Sequence, residues 1–200
     1  MIARVRVIVL AAMISLVAIV AGTALWSRYG QPLVVNGKPA VSLGGPFVLT
    51  DQFGRRVTDR DLRGKPTLMF FGFTYCPEVC PTTLAAMTSW LKALGPDADK
   101  LNVVYVTIDP ERDTPKQLRL YLSSFDPRIR GLTGTPAEIA KIAGEYRVYY
   151  QKIPLQGGGY TMDHSSAIYL MDARTAFTGV ITYQEPPAQA LAQLRALVRQ

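Results

Sequence analysis

A buried strand that runs into a cysteine-containing turn and then into a helix most constrains what this chain can form. Residues 65–73 are largely apolar, and a strand that is apolar on both faces is typical of the centre of a covered sheet. The turn that follows contains both cysteines of the protein, Cys76 and Cys80, and residues 82–94 then have helical periodicity. This order predicts an α/β fold with the cysteines at a strand end, where such folds place their sites.

The two thiols are predicted to be reactive because they stand where a helix begins. Pro81 suits the first helical position, where its missing N–H costs no hydrogen bond. The unpaired N–H groups of a helix N-terminus favour the thiolate, which is the nucleophilic and metal-binding form of cysteine. We therefore expect a lowered pKa at both Cys76 and Cys80. The alternatives are a structural disulfide or two small buried side chains, and the C-x3-C spacing differs from the C-x2-C of thioredoxin-type motifs.

The rest of the folded region alternates between strand and helix patterns. Strands are predicted at 46–51, 55–58, 65–73, 101–108, 130–133, 148–152, 166–171 and 178–183. Helices are predicted at 82–94, 115–125, 136–146 and 187–200. The order β-β-β-α-β-α-β-α-β-β-β-α predicts an α/β sandwich with a mixed central sheet. The glycine-rich residues 156–159 are interpreted as a flexible loop before His164, the single histidine.

The charge distribution argues against a nucleic-acid-binding function. The formal net charge is +7, but Arg4, Arg6 and Arg28 flank an N-terminal apolar segment. Without these three, 19 of the 22 basic residues remain against 15 acidic ones. They are scattered and form no basic block with interleaved aromatic residues. We therefore predict no nucleic-acid partner.

The N-terminal apolar segment, residues 7–26, contains no charged side chain. About 20 apolar residues span a bilayer as a helix, and the preceding Arg4 and Arg6 would lie on its cytoplasmic side. A cleaved signal peptide is the alternative, because small residues at 21–24 offer a cleavage site. Either interpretation exports the remainder of the chain. The predicted domains are an anchor or signal segment at 1–28, a linker at 29–43 and a folded domain at 44–200.

Cys76, Cys80 and His164 are candidate metal ligands. Thiolates are soft ligands that favour Cu(I), and imidazole suits both copper and zinc. Structural zinc normally has four protein ligands, and the chain has no third cysteine and no second histidine. Two cysteines and one histidine with water do occur at catalytic zinc, so zinc stays open. His164 follows Cys80 by 84 residues, and sequence spacing alone does not bring them together.

Three neighbouring features have both a functional and a structural interpretation. Asp163 is either a hydrogen-bond partner of the imidazole or a turn residue at a strand entry. Met162 is either a thioether ligand or a packing residue. Residues 109–115 hold three acids and an arginine after a buried strand. They form either a capped helix start with a local Asp–Arg pair or a surface for docking a partner.

Three segments together resemble the Sco/SenC family of copper chaperones, which have a thioredoxin-like fold. They are FGFTYCPEVCPTTL at 71–84, TIDPERDTP at 107–115 and DHSSAIYL at 163–170. The resemblance covers roughly residues 44–198, and the family's N-terminal membrane helix agrees with the apolar segment. The chain departs from the family pattern at two places. Tyr75 stands where many members have histidine, and residues 172–177 lack the glycine that is usual in that hairpin.

The resemblance implies a copper site and a cellular role. It implies that Cys76, Cys80 and His164 bind copper as Cu(I), Cu(II) or both. It also implies assembly of the dinuclear copper A centre in subunit II of cytochrome c oxidase, by copper delivery, by reduction of the target's cysteines, or by both. An upstream copper donor is a further expected partner. Residues 7–26 would hold the chain in a bacterial cytoplasmic membrane with the folded domain on the periplasmic side, or in the mitochondrial inner membrane of a eukaryote.

The competing function is that of a thiol–disulfide oxidoreductase acting on the cysteines of exported proteins. Cys76 and Cys80 would then be the catalytic pair, a disulfide between them would suit an oxidising compartment, and His164 would not need to be a ligand. A peroxidase of the peroxiredoxin kind is a third option. It needs a cysteine activated by a nearby base or cation, and the spacing gives no positive sign of one. Nothing in the sequence indicates an obligate oligomer.

Overall fold

The computed structural model describes residues 43–199 without a gap, together with residues 13, 15 and 19, which are helical, and two short N-terminal strands. By its contacts the chain divides into two compact units, Met1–Ser42 and Leu43–Gln200. The predicted membrane segment at 7–26 lies outside the described residues except at those three positions. No helix in the described part of the chain is both long enough and apolar enough to cross a membrane.

The elements alternate along the chain. The strands are β1 (Val34–Val35), β2 (Lys38–Pro39), β3 (Val48–Asp51), β4 (Arg56–Thr58), β5 (Thr67–Gly72), β6 (Asn102–Thr107), β7 (Ile129–Thr133), β8 (Tyr150–Pro154), β9 (Tyr160–His164), β10 (Ile168–Met171) and β11 (Phe177–Ile181). The α-helices are α1 (Val79–Leu94), α2 (Pro115–Leu122), α3 (Pro136–Glu145) and α4 (Pro187–Val198). Short 3-10 helices span Asp59–Leu62 and Gly95–Lys100. In the N-terminal unit, β1 and β2 pair antiparallel.

A seven-stranded mixed sheet forms the centre of the second unit. Its strand order is β11-β10-β5-β6-β7-β3-β4. The three central strands β5, β6 and β7 are parallel, and the outer strands pair antiparallel. All six residues of β5 are buried. The prediction of a mixed α/β sheet with β5 at its centre is confirmed.

Helices cover both faces of this sheet. Successive residues of a strand point to opposite faces. Phe70 packs against Tyr105 with ring centroids 5.9 Å apart, and Tyr105 packs against Tyr121 of α2 at 6.1 Å. On the other face, Phe71 packs against Tyr146, just after α3, at 5.6 Å. Because β5 is buried on both faces, its apolar residues are consecutive and do not alternate with polar ones.

Helix α1 begins earlier than predicted. Its first residue is Val79, which makes Pro81 the third helical residue rather than the first. The first four N–H groups of a helix have no intrahelical partner, so proline fits at this position without breaking a hydrogen bond. As a result Cys80 lies within the first turn of the helix, and only Cys76 lies in the turn before it.

Strand β9, which the sequence does not predict, pairs with β8 in a hairpin outside the main sheet, and the predicted loop at 156–159 is the turn of that hairpin. Strands β8 and β9 pair antiparallel, with Tyr150 opposite His164, and form a two-stranded sheet of their own. The turn between them contains the glycines at 157–159, all with positive φ, a conformation that side chains disfavour. The other predicted elements agree with the structure within a few residues.

The turn at 172–177 forms without the glycine that is usual in the family. Thr175 takes the positive φ, at 68°. The carboxylate of Asp172 accepts hydrogen bonds from the backbone N–H groups of Arg174 and Ala176, both at 2.8 Å. These bonds hold the turn and stabilise a conformation that threonine rarely adopts.

Candidate metal and thiol site

The fold brings the three predicted ligands together at the end of β5. Cys80 is buried in the first turn of α1, and Cys76 is half-buried in the preceding turn. The backbone N–H of Cys80 donates to the Cys76 sulfur at 3.4 Å. The Cys80 sulfur lies 3.7 Å from Nε2 of His164. Two sulfurs and one imidazole nitrogen, distant in sequence, therefore share one small volume.

The imidazole of His164 presents its Nε2 to this volume. Its Nδ1 lies 2.8 Å from the carbonyl oxygen of Ser165. A carbonyl only accepts hydrogen bonds, so Nδ1 is the donor, and Nε2 is the nitrogen left to act as a ligand. Phe73 packs edge-on against the ring with centroids 5.8 Å apart. The nitrogen that faces the Cys80 sulfur is therefore fit to be a metal ligand or to accept a proton.

The two thiols have opposite pKa shifts. The Cys80 thiol donates a hydrogen bond to the Cys76 sulfur, which is the largest cause of a Cys76 pKa lowered to about 4. The side chain of His164 and backbone N–H groups lower it further, against partial burial. The Cys80 pKa is raised, first by that donation and then by burial and the negative charge of Cys76. The predicted lowering is confirmed for Cys76 and wrong for Cys80, because the two sulfurs compete for one proton.

A buried carboxylate holds the turn that precedes Cys76. Asp113 accepts hydrogen bonds from the backbone N–H and the hydroxyl of Thr74, at 2.9 and 2.6 Å. It also accepts one from the hydroxyl of Thr107 at the end of β6, at 2.7 Å. Burial is the main cause of its raised pKa. Sequence analysis identified Asp113 only as one acid in 109–115, because its partners on β6 and in the cysteine turn are distant in sequence.

Arg112 connects the cysteine turn to the β8–β9 hairpin. Its guanidinium lies over the ring of Tyr160 at 3.8 Å and over the ring of Tyr75 at 4.6 Å. It also donates to the carbonyl of Tyr160 at 2.9 Å and to the carboxylate of buried Asp109. The Tyr160 hydroxyl donates to the same carboxylate at 2.8 Å. We call Arg112, Asp109, Tyr160 and Tyr75 the arginine clasp. The local Asp–Arg pair predicted in 109–115 is confirmed.

The two residues before His164 do not take the functional roles considered for them. Asp163 is exposed on the opposite side of β9, and the carbonyl of Ser165 takes the position at Nδ1 that Asp163 was considered for. Met162 is buried and packs within the hydrophobic core. The structural interpretation is therefore confirmed for Met162.

The arrangement of the candidate ligands is set by hydrogen bonds. Among the residues that the structure describes, no group of three or more His, Cys, Asp or Glu side chains is arranged so that it could hold a metal ion. The donor atoms are instead linked by hydrogen bonds through the proton that the two sulfurs share. Metal binding at Cys76, Cys80 and His164 would therefore have to displace that proton.

Fold and site together define a thioredoxin-like α/β protein with a C-x3-C dithiol at the strand–helix turn and an imidazole beside it. The chain belongs to the SCO1/SenC family, whose model matches residues 35–199. This match confirms the resemblance of the three sequence segments to that family.

Individual relatives agree with the family match. The chain is 42% identical over 142 residues to Protein SCO1 homolog 1, mitochondrial, of Arabidopsis thaliana, covering 70% of this chain and 42% of that protein. It is 42% identical over 148 residues to the mitochondrial SCO1 protein of Saccharomyces cerevisiae, covering 72% of this chain and 50% of that protein. The chain thus spans half or less of these two relatives.

A solved structure agrees over the whole folded unit. The ScoI protein of Bradyrhizobium japonicum, described with copper bound, is 52% identical to this chain with a TM-score of 0.74. The superposition covers 78% of this chain and 99% of that chain.

Proposed function

We propose that this protein binds copper through Cys76, Cys80 and His164 and supplies it for assembly of the copper A centre of cytochrome c oxidase. The observation that supports this most directly is the approach of the Cys80 sulfur to Nε2 of His164 across 84 residues of sequence. Family membership and the copper-bound ScoI relative support the same metal.

The donor set suits copper in both softness and spacing. Two thiolates and one imidazole are ligands that favour Cu(I). With bonds of about 2.3 Å to sulfur and about 2.0 Å to nitrogen, as at zinc, two donors about 120° apart on one ion lie about 3.7 Å from each other. The Cys80 sulfur and Nε2 of His164 are 3.7 Å apart. These two atoms would need little movement to bind one ion, so formation of the complete site depends mainly on the Cys76 sulfur.

Proton release accompanies metal binding. Cys76 is already a thiolate at neutral pH, because its pKa is about 4. The remaining proton belongs to Cys80, and a bound ion requires that sulfur to be a thiolate as well. One proton therefore leaves for each Cu(I) bound. The half-buried position of Cys76 leaves one sulfur accessible to a thiol or another ligand of a partner, as a transfer site requires.

In the cell, the copper would go to subunit II of cytochrome c oxidase, and an upstream donor would supply it. Residues 7–26 would anchor the chain, with the folded domain on the outer side of a bacterial cytoplasmic membrane or in the mitochondrial inner membrane. The length and apolar character of that segment support the anchor. The relatives named for mitochondria support this kind of membrane.

Copper binding to the reduced full-length protein tests the proposal. Cu(I) stoichiometry and affinity would be measured against a competing chelator for the wild type and for Cys76→Ser, Cys80→Ser and His164→Ala. We expect one Cu(I) per chain, its loss in both cysteine variants and weaker binding in the histidine variant. Asp163→Asn is the matched control, because this exposed neighbour faces away from the site, and its affinity should equal that of the wild type. Copper binding that does not depend on His164, or none at all, would contradict the proposal.

A second candidate function is supported by the opposite thiol shifts. A half-buried thiolate beside a buried thiol is the arrangement of a nucleophile and a resolving cysteine. Cys76 would attack a target disulfide to form a mixed disulfide, and Cys80 would then displace the reduced target and leave a Cys76–Cys80 disulfide. This dithiol exchange does not need an imidazole ligand. A His164→Ala variant that keeps full disulfide reductase activity but loses copper would separate the two functions.

A further inference from the structure

Two tyrosine hydroxyls lie buried near the dithiol without a hydrogen-bond partner among the described residues. They belong to Tyr105 on β6 and Tyr121 on α2. Buried hydroxyls are nearly always paired, so an unpaired one in a native structure calls for an explanation. Tyr105 is completely buried in the middle of the central sheet. Packing of the ring therefore does not account for the presence of the hydroxyl group.

The Tyr105 hydroxyl faces the Cys80 sulfur across a gap left by a glycine. A Cβ atom at Gly72 would lie 2.8 Å from the Cys80 sulfur and 3.0 Å from the Tyr105 hydroxyl oxygen. Both atoms therefore border the same small space at the end of β5. Because Gly72 has no side chain, nothing of its own separates the hydroxyl from the sulfur.

The hydroxyl is close to the sulfur but is not fully bonded to it. It is near enough for its donation to favour the charged form of Cys80 and to act against the rise in the pKa of that thiol. Its geometry nevertheless leaves it without a partner that meets hydrogen-bond criteria. In this state Cys80 keeps its proton, so its sulfur is a weak acceptor. A more negative sulfur would be a better one.

We propose that Tyr105 is a positioning residue of the metal site, whose hydroxyl donates a hydrogen bond to the Cys80 sulfur when that sulfur is a ligand of copper. The inference rests on the proposed function, since it assumes that Cys80 binds the ion. His164 and Cys76 approach this sulfur from the hairpin and the turn, and Tyr105 approaches it from the core. Groups that hydrogen-bond to metal ligands orient them, and their loss typically lowers metal affinity about 10–100-fold.

The contact between the Tyr105 hydroxyl and the Cys80 sulfur should also affect the thiol–disulfide equilibrium, without copper. In the reduced protein the Cys80 sulfur is free to accept a hydrogen bond from the Tyr105 hydroxyl, and the neighbouring Cys76 carries a negative charge. In a Cys76–Cys80 disulfide neither sulfur has charge, and the hydroxyl gains little from it. Tyr105 therefore favours the dithiol over the disulfide. Its loss should shift the thiol–disulfide equilibrium toward the disulfide by about three- to tenfold, where tenfold corresponds to about 30 mV.

Tyr105→Phe tests the inference, with Tyr121→Phe as the matched control. Each variant removes one buried, unpaired hydroxyl and keeps the ring. Tyr121 lies on α2, and its ring packs against that of Tyr105 with centroids 6.1 Å apart. In the full-length reduced protein we expect Cu(I) affinity to fall about tenfold in Tyr105→Phe and to change less than twofold in Tyr121→Phe. Neither variant should unfold more easily than the wild type, since each loses an unsatisfied polar group.

The second measurement is equilibration of each protein with reduced and oxidised dithiothreitol. The reagent gives two electrons and two hydrogens to the disulfide and closes into its own cyclic disulfide. A shift in Tyr105→Phe alone supports the inference, even if the wild type binds no copper and the proposed function fails. Equal shifts in both variants would mean general loosening of the core and would overturn it. Unchanged copper affinity and unchanged equilibrium in Tyr105→Phe would also overturn it, whatever the copper affinity of the wild type.

Discussion

The cysteine turn and the β8–β9 hairpin supply the same site but are attached to the protein in different ways. Cys76 and Cys80 join β5, whose residues are all buried, to α1, which packs into the core. His164 ends a hairpin that forms a two-stranded sheet of its own, and β8 has no buried residue. The arginine clasp connects the hairpin to the cysteine turn, and Met162 is the residue of β9 that is buried in the core.

The difference indicates which part of the site can move. Local opening has a low cost where few apolar contacts are buried and a high cost in core strands. The two sulfurs should therefore keep their positions, while the imidazole can withdraw with the hairpin. If the three side chains bind copper as proposed, opening of the hairpin would remove His164 and leave the two sulfurs as ligands. Variants in the cysteine turn and variants in the hairpin should therefore have separate effects.

The largest effect should be seen in the reactivity of Cys76. Because its pKa is about 4, its alkylation by iodoacetamide should have a constant rate from about pH 6 to 8, whereas a thiol with the ordinary pKa of about 8.5 reacts about tenfold faster per pH unit there. Cys80→Ala removes the largest cause of the shift and should raise the Cys76 pKa by several units. His164→Ala removes a smaller cause and should raise it less. Mass spectrometry of the labelled peptides measures each rate.

The lowered pKa of Cys76 also predicts how the stability of the protein depends on pH. A lowered pKa in the folded state stabilises the protein above the unfolded pKa, and that contribution is lost as the pH falls toward about 4.

The informative result is which of the two variants raises the Cys76 pKa more. A larger rise in His164→Ala than in Cys80→Ala would show that the hairpin, rather than the cysteine turn, sets the charge on Cys76.

Arg112→Ala should release the hairpin. It leaves the Asp109 carboxylate buried without its cation and removes two aromatic contacts of the guanidinium. Breaking a buried ion pair costs about 3–5 kcal/mol, and we expect about 2–3 kcal/mol here because the Arg112 side chain is 23% exposed. Urea denaturation measures the free energy of unfolding. Hydrogen exchange should speed up in β8 and β9, while β5 stays protected.

Arg63→Ala is the matched control for the clasp. Arg63 pairs with Asp59 on the surface at 3.3 Å, with its side chain 58% exposed. Exposed pairs contribute about 0–1 kcal/mol, so this variant should differ little from the wild type in the free energy of unfolding. Equal costs for the two arginine variants, or faster exchange in β5 as well as in the hairpin, would contradict the separation of the two regions.

Gly72→Ala should disturb the sulfurs and leave the hairpin in place. The new Cβ would lie 2.8 Å from the Cys80 sulfur and 2.9 Å from a ring carbon of Tyr105. Overpacking of this kind costs about 1–3 kcal/mol. Gly144→Ala is the control, because a Cβ there meets nothing within 4 Å in helix α3, and it should be neutral or slightly stabilising. Equal free energies of unfolding for the two alanine variants would show that the gap at Gly72 is not tight.

Much of this arrangement could be predicted from the sequence, because its signals are local. The apolar run that became β5 indicated a central strand, and Thr114-Pro115 and Thr135-Pro136 marked the starts of two helices. The two cysteines were placed at a strand end by the same local pattern. The histidine is a candidate ligand by its chemistry alone, but its proximity to the cysteines is implied only by the family resemblance, and the structure brings it to the Cys80 sulfur.

Interactions that depend on the three-dimensional arrangement of side chains could not be predicted in this way. The Cys80 pKa depends on the neighbouring thiolate, whereas the helix start alone suggested the opposite shift. The strand that ends at His164 was missed because three glycines before it resembled a flexible loop and its own residues are mixed in polarity. The role of Asp113 depends on Thr74, 39 residues earlier. Each of these interactions exists only in the folded protein.

The hydrogen bond from Nδ1 of His164 to the Ser165 carbonyl has a consequence for variation of this protein. The acceptor belongs to the main chain, and every amino acid at position 165 would supply the same oxygen. A side-chain carboxylate in that place could be lost by a single codon change and would itself gain a proton in acid. Here the orientation of the imidazole depends on the path of the backbone and not on the side chain at position 165, so substitutions there should leave Nε2 facing the Cys80 sulfur.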